Sequence, residues 1–364
     1  MAKALVLLSG GLDSMLAVKV LMEEGIEVTG ISFRSAFFNT EKARQAAAAL
    51  GIELIEVDFS EEHLAMVKNP SCGYGSNMNP CIDCHAMMFR WAASMPLPIF
   101  PASSPAPSPN QEIGRKEDLA APFLARRGDG GEVFIATGEV LGQRPMSQNK
   151  EALKRVEKIA CLENRILRPL SAKLLPETEM EKAGLVDREK LLDIYGRSRE
   201  RQFELVARYN IKEYPSPGGG CLLTDPEFSG RLKKLFVFWP ECGIRDVELI
   251  RNGRMFWAGA EALIMVGRNR EECEGLQKLG KNDDIIVELK DETGPVTVVR
   301  FKNQESITTH ELELEIPAKL ETEKLKLEEG KSAEEILSLA GILTGYYAPK
   351  ARGKKIKIEI RKAI

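Results

Sequence analysis

The chain has 364 residues, 43% of them hydrophobic and 29% charged, with a formal net charge of −3. That length allows two or three domains with cores of their own, no apolar run approaches bilayer-spanning length, and the near-balanced charge favours neither nucleic acid nor its exclusion. Met1-Ala2-Lys3 leads into a short apolar run with no cleavage site, which reads as a first core strand, so cytoplasm is the expected compartment and no membrane partner is expected. Seven cysteines, an odd number, point to metal or thiol chemistry over a disulfide framework.

Ala4-Leu5-Val6-Leu7-Leu8 predicts a buried strand, Ser9-Gly10-Gly11-Leu12-Asp13-Ser14 a glycine turn, and residues 15–22 a helix. Adjacent glycines let a ligand approach the backbone closely, Asp13 and Ser14 suit a helix start, and the free N–H groups there favour an anion such as phosphate. No Gly-Lys-Ser/Thr follows, which excludes the P-loop, and no Gly-x-Gly-x-x-Gly marks a dinucleotide fold; a chance Gly-Gly turn is the plain alternative. Residues 26–33 read as a second strand ending at Phe33, residues 40–50 as an Ala-rich helix with Thr40 as N-cap and Gly51 at its end, and residues 52–59 as a third strand. This alternation implies βαβ crossovers and a doubly wound, mostly parallel α/β sheet, with ligands at the carboxyl ends of its strands.

A helix is expected at 84–94. The proline-dense 96–109 stretch and the residues after it, to 131, read as a loop or disordered insert, or less plainly as a partner-binding polyproline segment. A strand follows at 133–137, then amphipathic helices at 147–159 and 187–209. Tyr214-Pro215-Ser216-Pro217-Gly218-Gly219-Gly220-Cys221 breaks the pattern. Beyond Asp225 strands are expected at 235–238, 246–251, 255–260, 262–266, 284–289 and 297–301, with helices at 270–279 and 334–344 and a basic tail at 350–362. The expected organisation is therefore an α/β domain over 1–213, a Gly/Pro hinge over 214–225 that carries Cys221, and an α+β or mostly β domain over 226–364.

In Asn79-Pro80-Cys81-Ile82-Asp83-Cys84-His85 two thiols stand at C-x-x-C spacing at a helix start, a position that favours thiolate. Cys221, after three glycines, supplies a third. Three thiolates suit a [4Fe–4S] cluster with one iron open. Zinc on Cys81, Cys84, Cys221 and either Cys72 or His85 is an alternative, as is a redox pair. Cys161, Cys242 and Cys273 read as structural. His63 and His310 are single and unsupported, and His85 is ambiguous.

Ser9-Gly10-Gly11-Leu12-Asp13-Ser14 resembles the Ser-Gly-Gly-x-Asp-Ser signature of the PP-loop enzymes, which split ATP between its α- and β-phosphates to adenylate a substrate on an adenine nucleotide α-hydrolase-like fold. With the cysteines, the chain is similar to the PP-loop tRNA thiouridine synthases, and most to the tRNA-specific 2-thiouridylases. Their Asn-Pro-Asp-x-x-Cys-Asn motif matches residues 79–85 with Cys84 on the functional cysteine and Cys81 in place of the aspartate, and their second cysteine has its counterpart in Cys221. Ile135-Ala136-Thr137-Gly138 resembles their strand end near the nucleotide, with Glu139-Val140 where His-Tyr is usual. The resemblance covers about residues 1 to 225. Their β-barrel domains are not evident beyond it, where Arg251-Asn252-Gly253-Arg254 and Val266-Gly267-Arg268-Asn269 resemble an RNA-binding module of ribosome-quality-control factors.

The resemblance implies an ATP-dependent tRNA sulfurtransferase. ATP with Mg²⁺ would lie on Ser9, Gly10, Gly11, Asp13 and Ser14, with Phe33 and Gly138 at the nucleotide. Asp13, Cys84 and Cys221 would be catalytic, and Cys81, Cys84 and Cys221 would hold the cluster. The implied sulfur donor is a cysteine desulfurase relay or free sulfide. Arg144, Lys150, Lys154, Arg155, Arg165, Arg168, Arg197, Arg199 and Arg201 are candidate RNA contacts, or simply solvated helix faces. Two other functions fit parts of the pattern: a small-molecule adenylating enzyme of amidotransferase or ligase type, and a non-catalytic nucleotide- and RNA-binding iron–sulfur protein.

Overall fold

The computed structural model describes residues 2–95, 132–214, 221–281, 283–303, 309–320 and 330–363. The chain divides into two compact units, Met1–Asp225 and Pro226–Ile364. The expected 96–131 insert lies outside the described residues.

The first unit opens with β1 (Lys3–Leu7), α1 (Leu12–Glu23), β2 (Glu27–Arg34), α2 (Glu41–Leu50), β3 (Glu53–Asp58), α3 (Ser60–Lys68) and α4 (Cys81–Ser94). It continues with β4 (Val133–Thr137), α5 (Lys150–Ala160), β5 (Ile166–Leu167), α6 (Glu179–Lys182) and α7 (Glu200–Arg208). Its five strands form one parallel sheet in the order β3-β2-β1-β4-β5. Both faces are covered, as near-continuous apolar strands require. Ala4 and Val6 of β1 join Leu16, Ala43 and Ala47 on one side, while Leu5 joins Phe59, Phe89 and Val156 on the other. Each fully buried Val, Leu or Phe among these contributes about 1.5–3 kcal/mol. Strand order reverses between β1 and β4, so the turns after these two strands open onto one crevice, where ligands of such sheets bind. Gly51, at φ +68°, closes α2 as expected.

Three stretches depart from the sequence expectation. The helix expected over 187–209 is broken: Gly196 sits at φ +85°, Tyr195 bridges Leu141, and α7 begins only at Glu200. In the second unit, 235–238 and 246–251 were expected as strands and are helical, in α8 (Pro226–Phe238) and α9 (Ile244–Leu249). Pro226 suits a first helical position, and Phe228, Leu232 and Leu235 recur at helical spacing on the buried face, which overrides the β preference of Phe236-Val237-Phe238. Asp246 caps α9 by accepting from the Gly243 N–H at 2.8 Å.

The second unit continues with β6 (Arg254–Ala258), β7 (Ala262–Val266), α10 (Arg270–Leu279), β8 (Ile285–Leu289), β9 (Thr297–Phe301), β10 (His310–Glu315), α11 (Ala333–Tyr346) and β11 (Lys355–Lys362). Its six strands run β10-β11-β8-β9-β7-β6, every pair antiparallel. The basic tail is an inner strand of this sheet. Ile356, Ile358 and Ile360 alternate with charged residues, so one face of β11 packs under α11 and the other carries the charge.

Candidate active site

The crevice is built on glycines that the packing admits in no other form. Gly10 turns the chain at φ +75°, and a Cβ there would stand 2.3 Å from the Lys42 carbonyl carbon at the start of α2. Gly138 directly follows β4, where a Cβ would fall 2.5 Å from backbone atoms of Asp13 and Ser14. The end of β4 thus lies against the first turn of α1. Gly11 occupies the N-cap of α1 with extended backbone and offers no side-chain cap, so the helix N-terminus keeps its attraction for an anion. Within the loop, Ser9 Oγ accepts from the Gly11 N–H at 3.3 Å, and Ser14 Oγ donates to the Gly11 carbonyl at 2.7 Å.

Asp13 points into a ring of donors. Its Oδ2 accepts from Gln143 Nε2 at 3.0 Å and Arg199 Nη2 at 3.4 Å, and its Oδ1 from Gln202 Nε2 at 3.4 Å. Gln143 and Gln202 are contributed by segments far along the chain, and neither was singled out in the sequence. Phe33, at the end of β2, is buried with its ring 5.2 Å from that of Phe59.

Cys81 and Cys84 occupy the first turn of α4. Cys221 reaches them because its segment is fastened on two sides: Leu222 N–H donates to the Phe37 carbonyl at 3.3 Å, and Met78 N–H to the Leu223 carbonyl at 3.2 Å. Asn77 Nδ2 adds a bond to the Thr224 carbonyl at 2.7 Å. The three thiols lie within electrostatic reach of one another. Burial pushes Cys84 well above the ordinary thiol range, and negative charge on Cys221 or Cys81 raises it further. Burial also lifts Cys221 to about 11, with Cys81 adding to it. Cys81 is raised by burial and partly relieved by Arg144 and a hydrogen bond with Asn79. The helix start therefore does not lower these two thiols as expected, because burial raises both Cys81 and Cys84.

Among the described residues no three His, Cys, Asp or Glu side chains surround a point that could hold a metal ion. The four-ligand zinc set is not assembled: His85 turns to Glu139, and Cys72 faces Asp83 and Arg155. A [4Fe–4S] cluster makes a different demand, since its thiolates bind different irons and spread around it. Cys84 is buried and Cys81 and Cys221 are half-buried, and the three influence one another electrostatically, a donor set whose chemistry suits such a cluster.

A buried ion cluster ties the thiols to the loop. Glu139, the residue after Gly138, accepts from His85 Nδ1 at 2.9 Å and from Arg168 Nε at 3.0 Å, and Arg168 also bonds Glu157. Burial alone would raise the Glu139 carboxyl, but the charge of Arg168 and the bond from His85 outweigh it and hold it at about 2. Arg168, 3% exposed, is not available to RNA as expected. Of the other cations proposed for RNA, Arg165 pairs with Glu179, Arg201 with Asp193 and Arg199 with Asp13. Arg144, Lys150, Lys154, Arg155 and Arg197 stay exposed. Cys242 is buried, and Cys273 accepts from the Val296 N–H at 3.4 Å, both structural placements.

His63, which stood unsupported in the sequence, is fully buried with Nε2 3.3 Å from Cys84 Sγ. No spacing rule would have found this pair, which the crossover from α3 to α4 brings together.

Residues 2–93 match the family model described as the tRNA methyl transferase HUP domain. A stretch of 96 residues, 22% of the chain, is 36% identical to a tRNA-specific 2-thiouridylase of Syntrophotalea carbinolica and covers 27% of it. A second such protein, from Dehalococcoides mccartyi, is 33% identical over 112 residues, 27% of this chain and 31% of that one. The chain thus matches less than a third of the length of these relatives. Among solved structures, a 4-thiouridine synthetase in complex with RNA and bound ATP aligns over 68% of this chain and 52% of its own, at 19% identity and TM-score 0.33. The family-model match over residues 2–93 takes in the Ser9–Ser14 loop, Cys81 and Cys84 and leaves out Cys221. Among the described residues no helix is long and apolar enough to cross a membrane.

Proposed function

We propose that this chain uses ATP to activate a uridine carbonyl oxygen of tRNA and replaces that oxygen with sulfur. The observation that carries the reading is adjacency. Gly138 packs on Asp13 and Ser14 of the phosphate-type loop, and the next residue, Glu139, binds His85 beside Cys84. A helix N-terminus suited to phosphate and a group of thiols are thus linked through consecutive residues, and a sulfurtransferase that adenylates its substrate needs both.

An amide-like carbonyl is too unreactive to exchange oxygen for sulfur directly. In the proposed reaction the uridine oxygen attacks the α-phosphorus of ATP, the bond to the β-phosphate oxygen breaks, and pyrophosphate leaves. Ser9, Gly10, Gly11 and Ser14 hold the phosphates, Asp13 stands at the start of the helix behind them, held by Gln143, Arg199 and Gln202, and a bound Mg²⁺ would offset the repulsion among the phosphate oxygens. Sulfur then bonds to the activated carbon, and the carbon–oxygen bond breaks with AMP leaving. Cys84 and Cys221 are the residues that present sulfur: a desulfurase relay leaves a persulfide on one of them, its terminal sulfur is the one that bonds to carbon, and the thiolate of the other breaks the S–S bond, leaving a Cys84–Cys221 disulfide that an external thiol reduces. If instead Cys81, Cys84 and Cys221 held a [4Fe–4S] cluster, they would not carry sulfur themselves; the cluster would supply an open iron for free sulfide, which enters as hydrosulfide with no change of oxidation state. The exposed Arg144, Lys150, Lys154, Arg155 and Arg197 face the RNA, whose target base must leave its stack to enter. We place this reaction in the cytoplasm.

The test is incubation of the anaerobically purified protein with α-labelled ATP, sulfide and unmodified tRNA. Labelled AMP and thiolated tRNA are expected together, and Asp13→Ala is expected to lose both while its thiols and iron content stay unchanged. Release of ADP, or AMP formation that ignores tRNA, would overturn the reading.

A further inference from the structure

The contact between His63 and Cys84 has more content than proximity. The ring of His63 is completely buried and stacks on Phe59 at 4.8 Å between centroids, with Phe37 and Phe38 edge-on at 5.4 and 5.3 Å. One nitrogen, Nε2, meets Cys84 Sγ at 3.3 Å. The other, Nδ1, is buried and has no hydrogen-bond partner among the described residues. These facts decide where the single proton of the neutral ring resides.

Three states compete. The doubly protonated ring would carry a charge inside a cage of phenyl groups with a partner for only one of its two N–H donors. With the proton on Nδ1, Nε2 would accept from the thiol, but an N–H would be buried with nothing to receive it, one of the rarer and costlier defects of a protein interior. With the proton on Nε2, the donor is used on sulfur, and what is left unmet is a lone pair and, while Cys84 is a thiol, its weak S–H donor, a cheaper deficiency than a buried N–H.

We infer that His63 is a positioning residue for Cys84, a neutral imidazole whose Nε2–H donates to Sγ. It is therefore a donor to the sulfur and not its base. The bond fixes the direction of the Cys84 side chain and favours electron density on Sγ, offsetting in part the burial that opposes it. The same N–H meets Sγ whether that sulfur is free, binds iron or carries a transferable sulfur. The hydrogen bond stands independently of the proposed function; its use in sulfur transfer rests on that reading.

The direct test is a long-range ¹H–¹⁵N correlation spectrum of the full chain labelled at its three histidines, with His63→Gln assigning the signal. A ring protonated at Nε2 alone at neutral pH is expected. Protonation at Nδ1, or at both nitrogens, would overturn the inference even if tRNA is thiolated; the expected tautomer without ATP-dependent thiolation would leave the bond standing and remove the function. A second readout is the rate at which methyl methanethiosulfonate modifies Cys84 in a Cys81→Ser, Cys221→Ser background. His63→Leu should slow it roughly tenfold, and His63→Gln, which still presents an N–H, should recover most of it. Equal rates for Leu and Gln would show that His63 merely fills space.

Discussion

Two buried guanidinium groups, one in each unit, show how similar chemistry can serve a scaffold in one place and a site in another. Arg300 of β9, 5% exposed at its side chain, spends every donor: Nε and Nη2 on Asp284 at 2.8 and 2.6 Å, Nη1 on Asp246 at 2.8 Å, with the carbonyls of Leu279 and Arg245 completing the set. Arg168 is equally buried, yet only its Nε and Nη1 are engaged, and among the described residues its Nη2 has no partner. The saturated cluster joins α9 to the strands and the loop before β8. The unsaturated one borders the glycine loop and the thiols through Glu139 and His85. Leaving a buried donor unmet costs stability, and such a deficit is tolerated where the fold serves something besides its own stability.

The largest effect that would sharpen this contrast is expected from Arg300→Leu. It leaves Asp284 buried without its counter-charge and Asp246 with Lys281 alone, so chemical unfolding should show a loss of about 3–5 kcal/mol; an unchanged midpoint would break the view that this cluster holds the second unit together. Acid titration tests the other side. Glu139 is held at about 2 against an ordinary 4.5, a depressed carboxylate, so its contribution is complete above pH 4.5 and is lost as pH falls toward 2. That contribution is about 3 kcal/mol, and Glu139→Gln should flatten the acid limb of stability over that window. A limb as steep in the variant as in the parent would remove Glu139 from the account. The smallest change in stability, about 1–3 kcal/mol, is expected from Gly138→Ala, whose new methyl must displace the backbone of Asp13 and Ser14. Calorimetric titration with ATP should show weaker binding in this variant, and undiminished affinity would separate the loop from the nucleotide.

The legible parts of this molecule are those in which neighbours in sequence are also neighbours in space. The strand, turn and helix around Ser9 to Ser14 follow from an apolar run, two glycines and a helical period, and β4 and α2 from patterns equally local. Where two local signals disagreed, the reading went astray: Phe236-Val237-Phe238 has strand propensity, but it continues a buried helical stripe begun at Phe228. The helix expected over 187–209 failed because Gly196 and the bridge from Tyr195 to Leu141 turn the chain there.

Sequence by itself determined the alternation from β1 to β3, the strand β4, the glycine turn at the first crossover and the pair of cysteines on one helical turn, all consequences of short-range sterics and periodicity. Tertiary structure alone decided that Arg168 is buried against Glu139, that Gln143, Arg199 and Gln202 surround Asp13, that Cys221 is fastened beside Cys84, and that His63 meets the same sulfur. It also reversed the electrostatics of the thiols. A helix N-terminus is a local feature that sequence displays, whereas desolvation depends on everything packed around a group, and only the folded chain shows which of the two prevails.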